Sequence, residues 1–230
     1  MNHFLDSNVI LSYIFTLDNN HPFAKNFLVV ENYYYCSKHV NDEVCIVFKN
    51  KNSQYQSFLL KLSRHINKFN DYDLINEGDI HNIINTFQPI GKLELNEMHN
   101  ALNKIWLKLK FCENHDSFDV KLKFDIFQNE FLSSNNLRKD FISNSINLVP
   151  NHTKKDKIIL NKIKKENLRN MLLHGEDENI LFDANEFCKN NPKLNLKFVS
   201  ADEDFLKAFD ILMGELCIKE TINIMEFSNN

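Results

Sequence analysis

His3-Phe4-Leu5-Asp6-Ser7-Asn8-Val9-Ile10-Leu11 is the stretch on which the fold turns. A short extended piece, His3-Phe4-Leu5, runs into an acid. Ser7 then stands where a cap opens a helix through Val9, Ile10, Tyr13 and Ile14. A strand followed at once by a helix is the opening of an α/β unit, and it leaves the Asp6 carboxylate at the strand's carboxyl end.

The same alternation recurs outward from this start. A short helix is expected near residues 22–29. Tyr33-Tyr34-Tyr35-Cys36 reads as a strand, and Ser37 opens a helix with Val40, Val44 and Val47 as its apolar stripe. Toward the other end, Thr153 with Asp156 three residues on resembles a capping box. It predicts a long basic helix carrying Ile159, Ile163, Leu168, Met171 and Leu172, broken at His174-Gly175. A helix over 177–188 stops before Pro192. Residues 196–200 read as a strand, 204–213 as a helix ending at Gly214, and 221–227 as a last strand.

The middle differs. Tyr55, Phe58, Leu59, Leu62, Ile66 and Phe69 keep helical spacing after Ser53, and Leu95, Met98, Leu102, Ile105, Trp106 and Leu109 do so again. Phe118, Val120, Leu122, Phe124 and Ile126 satisfy both strand alternation and i, i+4 spacing; the helical neighbours favour helix. The expected fold is therefore α/β: a parallel sheet flanked by helices, built from residues 1–48 and 153–230, with a mostly helical insertion over 49–152.

Composition narrows the function classes. The apolar share of 43%, charged share of 25% and net charge of -4 are ordinary globular values that announce no nucleic-acid binder. Cys36, Cys45, Cys112, Cys188 and Cys217 are scattered, without a CxxC pair, so they read as buried thiols rather than as a disulfide framework or zinc ribbon. No basic leader and no apolar run of about 18 residues is seen, and a cytoplasmic protein is expected. Gly78, Gly91, Gly175 and Gly214 are isolated, which excludes a Walker loop or dinucleotide fingerprint, and no GxSxG elbow occurs.

Four carboxylates occupy equivalent places in the alternation. Asp6 follows the first strand, Glu43 lies one turn into the helix after the second, Asp177 starts a helix and Asp202 follows the strand ending at Ser200. In an open parallel sheet the carboxyl ends of the strands share one edge, where ligand crevices form. Two carboxylates about 5 Å apart at an effective dielectric near 20 repel by roughly 3 kcal/mol. Four must raise their pKa values or hold a cation, and oxygen-only donors favour Mg²⁺ or Mn²⁺. The plain alternative is capping, since acids gather at helix starts for that reason alone.

Phe4-Leu5-Asp6-Ser7-Asn8-Val9-Ile10-Leu11 resembles the opening motif of PIN domains. Ser37-x-x-Val40-x-x-Glu43-Val44 is similar to the second motif of that family, Asp177-x-x-Ile180-x-x-x-Ala184 to the third, Phe198-Val199-Ser200-Ala201-Asp202-Glu203-Asp204-Phe205 to the fourth, and Ile222-Asn223-Ile224-Met225-Glu226-Phe227 to the closing strand. The motifs keep the family's order. The resemblance implies a metal-dependent nuclease acting mostly on RNA, with Asp6, Glu43, Asp177 and Asp202 binding Mg²⁺ or Mn²⁺ and Asp204 as a possible fifth ligand. It also implies supporting roles for Ser7, Asn8 and Ser200, and leaves Glu176 or Glu178 to replace Asp177 if the register shifts by one. PIN domains are usually shorter; the insertion is extra, and is read as a cap, a dimerisation surface or a lobe for a protein partner.

Other features carry two readings each. Lys162, Lys165 and Arg169 form an i, i+3, i+7 stripe that either follows phosphates or is a solvated face. Glu113, His115, Asp116 and Asp119 read as a polar loop, since their spacing matches no ligand motif. His174 reads as a helix C-terminal residue or a group near the site. Most aromatic residues, Trp106 among them, read as core. The competing functions are a non-catalytic PIN-like RNA-binding or scaffolding protein acting through the insertion, and a haloacid-dehalogenase-type phosphatase. The latter requires a second Asp where this chain has Asn8.

Overall fold

A computed structural model of the chain describes residues 1–29, 33–111 and 114–227. In chain order its regular elements are β1 (Asn2–Leu5), α1 (Ser7–Ile14), α2 (His21–Val29), β2 (Tyr33–Ser37), α3 (Lys38–Ile66), β3 (Leu74–Ile75), α4 (Glu77–Ile84), α5 (Leu95–Lys108), β4 (His115–Asp116) and α6 (Ser117–Ser145). There follow β5 (Ile146–Val149), α7 (Lys157–Lys165), α8 (Leu168–Met171), α9 (Gly175–Asn190), β6 (Leu196–Ser200), α10 (Glu203–Leu212) and β7 (Thr221–Asn223). The chain forms two compact units, Met1–Ile46 with Lys139–Asn230, and Val47–Arg138.

The first unit is α/β. Its five strands lie in the order β5-β2-β1-β6-β7, and every neighbouring pair is parallel. The central strand β1 pairs Phe4 with Tyr35 on one side and with Phe198 on the other. Phe4, Leu5, Phe198 and Val199 are fully buried, as strands covered by helices on both faces require. Phe198 stacks on Phe209 at 4.7 Å and meets Phe205 edge-on at 5.2 Å, which seats α10 against β6.

The second unit is helical apart from the two-residue antiparallel pair β3-β4. Its core gathers Phe58, Leu59, Leu62, Met98, Leu102, Phe127 and Phe131, and Trp106 is buried against Phe111 at 4.6 Å. Residues 118–126 are helical within α6. Val120 and Phe124 are buried, whereas Phe118, Leu122 and Ile126 are exposed. Among the described residues no helix is long and apolar enough to cross a membrane.

Several local expectations are corrected. Residues 146–149, placed by sequence in the insertion, form the edge strand β5 on β2, so the sheet unit resumes at Lys139 and not at 153. Four residues of mixed burial carry too little pattern to declare a strand; the backbone partner on β2 decides it. The two helices expected on either side of Asn50 are one helix, α3, because that polar stretch holds neither Gly nor Pro to stop propagation. The basic helix breaks at Asn167, whose φ of 54° is left-handed, leaving α7 and α8. Its cap is Asp156, which accepts from the Ile158 and Ile159 N–H groups, while Thr153 bonds Glu186 instead. The last strand ends at Asn223, whose side chain takes the Met225 N–H and starts a short 3-10 turn.

Candidate active site

The direction of the connections changes between β1 and β6. From β1 the chain moves toward β2 and β5, whereas from β6 it moves away to β7. Such a switch point opens a crevice at the carboxyl edge of a parallel sheet. Asp6 and Asp202 follow the two strands that flank it.

Hydrogen bonds across the crevice fix its walls. Ser200 donates its hydroxyl to Asp6 Oδ2 at 2.7 Å, and Asp6 Oδ1 accepts the Ser7 N–H at 2.6 Å, capping α1. Asp6, not Ser7, is thus the cap. Asn8 spans the same gap: its amide donates to Ser200 Oγ at 3.1 Å and its Oδ1 accepts the Ala201 N–H at 3.0 Å. The three polar residues expected to support the site are joined to Asp6 or to one another in this way.

Asp6 is only 4% exposed. Burial is the main force on its carboxyl and pushes its pKa up to about 7, with Glu43 and Asp177 adding to the rise against the Ser200 and Ser7 hydrogen bonds. Glu43, from the first turns of α3, is half-buried and raised by desolvation, with Glu176 and Asp177 contributing. Asp177 is raised by desolvation and by Asp202 and Glu176, and is held down by the His174 N–H at 2.7 Å. The four expected acids therefore share one electrostatic neighbourhood, and Glu176 belongs to it as well. No Lys or Arg among the described residues pairs with Asp6, Glu43, Asp177 or Asp202.

Each aspartate also has a local task. Asp177 takes the N–H of His174, which precedes α9; His174 is thus at a helix start, not at the C-terminus expected from sequence. Asp202 Oδ1 caps α10 through the Asp204 and Phe205 N–H groups. Capping occupies one oxygen of Asp177 and one of Asp202, and the other oxygen of each accepts no hydrogen bond among the described residues. An open depression of about 430 Å³ lies beside Asp202, lined by Asn8, Asn20, Ala201, Asp202, Glu203 and Asp204. Asp204 is exposed and pairs with Lys207 at 3.2 Å, the position of a first-turn helix acid.

Glu178 is not a substitute for Asp177. It is buried and gripped by Arg169 Nε and Nη2, at 2.6 and 2.8 Å, and by Lys155 at 2.8 Å. Arg169, itself exposed, is therefore committed to a buried carboxylate rather than to the expected phosphate stripe. The left-handed turn at Asn167 separates it from Lys162 and Lys165, and Lys162 faces Glu215 at 3.7 Å. Lys165 remains exposed without a carboxylate partner among the described residues. In the second unit His115 sits 3.6 Å from Asp119, and Glu113 lies outside the described residues.

One constellation has no sequence signal. His39, His152 and Asp183 come from three distant segments and place one ligand atom each within 4.8 Å of one another. Among the described residues this is the group of three that meets such a distance; the crevice acids are more widely spread. Cys36 and Cys188 are buried, Cys45 and Cys217 half-buried, and Cys112 is outside the described residues.

The fold and site define an α/β protein with a carboxylate-lined crevice at its topological switch point. Comparison with protein-family models, curated proteins and solved structures finds no match.

Proposed function

We propose that the chain is a PIN-like, metal-dependent nuclease that hydrolyses phosphodiester bonds, RNA first among its substrates. The observation that carries the reading is Asp6: a buried carboxylate at the switch point, raised to about 7 by burial and neighbouring acids, with no cationic side chain among the described residues to neutralise it. Burying negative charge so costs several kcal/mol unless a cation compensates it, so the donor set fits Mg²⁺ or Mn²⁺. The spread of the acids suits an ion that keeps several waters of its own.

Asp6, Glu43, Asp177 and Asp202 would hold the ion, with Glu176 at the margin. Bound there, Mg²⁺ or Mn²⁺ supplies a lowered water pKa and charge neutralisation at a phosphate. The Ser200 hydroxyl aims Asp6 Oδ2, and Asn8 holds Ser200 and the Ala201 backbone so that the wall carrying Asp202 keeps its place. The depression beside Asp202 is open to solvent on the side where a substrate would approach. The unpaired Lys165 supports phosphate attraction at longer range.

A second reading has one observation in its favour. Phe118, Leu122 and Ile126 recur at i, i+4 and i+8 on α6 and are each at least half exposed, as a protein-binding face on the helical unit would be. That reading describes a scaffold and needs no metal.

The deciding experiment is cleavage of structured and single-stranded RNAs and DNAs with Mn²⁺ or Mg²⁺, wild type beside Asp6→Asn and Asp202→Asn. Cleavage that EDTA abolishes and that falls by about 100-fold or more in both variants supports the nuclease. Absence of cleavage together with absence of Mn²⁺ binding sinks it.

A further inference from the structure

Among the described residues of the first unit, three carboxylates are nearly inaccessible: Asp6, Glu178 and Asp183. Glu178 is neutralised by Arg169 and Lys155, and Asp6 belongs to the acidic crevice. Asp183, the most buried at 1% exposure, meets neither Lys nor Arg; its partners are two imidazoles. His39 Nδ1 lies 2.7 Å from Asp183 Oδ2, and His152 Nδ1 lies 2.6 Å from Asp183 Oδ1. We propose that His39, His152 and Asp183 form a site for a divalent transition-metal cation of the zinc class, separate from the acidic crevice and not dependent on the nuclease reading.

The donor chemistry separates the two sites. Two imidazole nitrogens and one carboxylate favour Zn²⁺ and its late first-row neighbours, whereas the all-oxygen crevice favours Mg²⁺ or Mn²⁺. Ligands about 2.1 Å from a tetrahedral ion stand about 3.4 Å from one another. One donor atom from each of the three residues lies within 4.8 Å of the others, and each imidazole is within 2.7 Å of an Asp183 oxygen, so the two rings and the carboxylate close onto an ion by small side-chain shifts. The side chains of Asp183 and His152 are 0% and 10% exposed, while that of His39 is 37% exposed and leaves a side open for entry and for a water ligand.

Surrounding groups hold the three ligands in place. The Asn151 Oδ1 accepts the His39 N–H at 3.1 Å, and its Nδ2 lies 3.2 Å from His39 Nε2. The His152 N–H donates to Asp183 Oδ1 at 2.7 Å, and its ring packs 5.6 Å from that of Phe182. These contacts limit the motion of the two rings and of the carboxylate. Topology gives the site a position. His39 follows β2, His152 follows the adjacent edge strand β5, and both meet Asp183 on α9 at the carboxyl edge of the sheet. Glu43 lies four residues beyond His39 on α3, about 6 Å of helix rise; Asp177 lies six residues before Asp183 on α9, about 9 Å. A cation here ties together the two helices that present Glu43 and Asp177.

The test is Zn²⁺ titration of the metal-stripped full chain by calorimetry, with Co²⁺ as a spectroscopic stand-in, for wild type, His39→Gln, His152→Ala and Asp6→Asn. Expected is one Zn²⁺ per chain, a Co²⁺ visible spectrum of imidazole ligation, and no displacement by excess Mg²⁺. His39→Gln, half-exposed and so tolerant of substitution, weakens binding by more than roughly 100-fold, since even groups that merely orient a ligand account for about 10- to 100-fold. Asp6→Asn keeps the Zn²⁺ site. Absence of Zn²⁺ binding by wild type overturns the proposal, as does binding that survives both histidine substitutions or is lost equally in Asp6→Asn. Failure of the crevice to bind Mn²⁺ is a separate outcome and leaves this one standing.

Discussion

Ser200 and Asp6, 194 residues apart in the chain, share a 2.7 Å hydrogen bond in which the serine hydroxyl donates to the carboxylate. The bond crosses the crevice between β1 and β6 and opposes the rise that burial imposes on Asp6. Ser200→Ala removes a donor to the charged form, so the Asp6 pKa is expected to climb further above about 7. A hydrogen bond to a charged group is worth about 1.5–3 kcal/mol, which corresponds to Mn²⁺ binding weaker by about tenfold or more at neutral pH. Carboxyl NMR titration and Mn²⁺ calorimetry measure the two effects, and unchanged affinity would remove Ser200 from the site.

The metal-free protein carries a pH signature. Unfolded, Asp6 ionises near 3.8; folded, it keeps its proton to about 7. The folded state thus binds more protons in that window, and the Asp6 contribution to stability falls as pH rises from about 4 to about 7. Asp6→Asn removes the fall. Metal-free Asp6→Asn is expected to be more stable than wild type at pH 7.5 by on the order of 2 kcal/mol, less than the full shift because the amide offers Ser7 and Ser200 one acceptor. Mn²⁺ should raise the wild-type Tm and leave that of the variant unmoved. Denaturant unfolding at several pH values checks the sign, and a wild type more stable than the variant at pH 7.5 without metal contradicts it.

Arg169 and Lys165 should behave differently although sequence places them on one stripe. Arg169→Ala leaves Glu178 buried with Lys155 alone, and a loss of about 1–3 kcal/mol in unfolding free energy is expected. Lys165→Ala should change stability by under about 0.5 kcal/mol. If RNA passes along α7, it weakens binding uniformly across sequences and lowers the salt slope by about 1. Urea melts and a salt series of RNA binding separate the two roles.

Asn167 holds a left-handed backbone at φ 54° between α7 and α8. Gly adopts that conformation freely and β-branched residues do not. Asn167→Gly is expected to be neutral within about 0.5 kcal/mol, and Asn167→Val to cost about 1–2 kcal/mol. Thermal melts of the pair check this; equal costs would mean the turn is not constrained.

The α/β class was legible because β1, β2 and β6 are apolar runs closed by an acid or a serine, and a helix follows each at the spacing a parallel sheet needs. Asp6 and Asp202 were legible for the same reason: each stands just past a strand's carboxyl end, whereas Glu43 and Asp177 lie within helices, where local spacing does not fix their neighbours. The edge strand β5 and the continuity of α3 were not, since a four-residue strand has too few side chains to show a period and a polar helical stretch looks like a linker.

By itself the sequence determined the alternation of strand and helix at the two ends of the chain and the places of Asp6 and Asp202 just past two strands, because both follow from local periodicity and from a breaker such as Pro192. Tertiary structure alone decided which charges stay free. Buried Glu178 takes Arg169 and Lys155 from two other segments, and buried Asp183 gathers His39 and His152 from segments 144 and 31 residues away. The physical reason is that a buried charge selects its partner by proximity in the packed chain, and proximity across so many residues leaves no trace in local spacing.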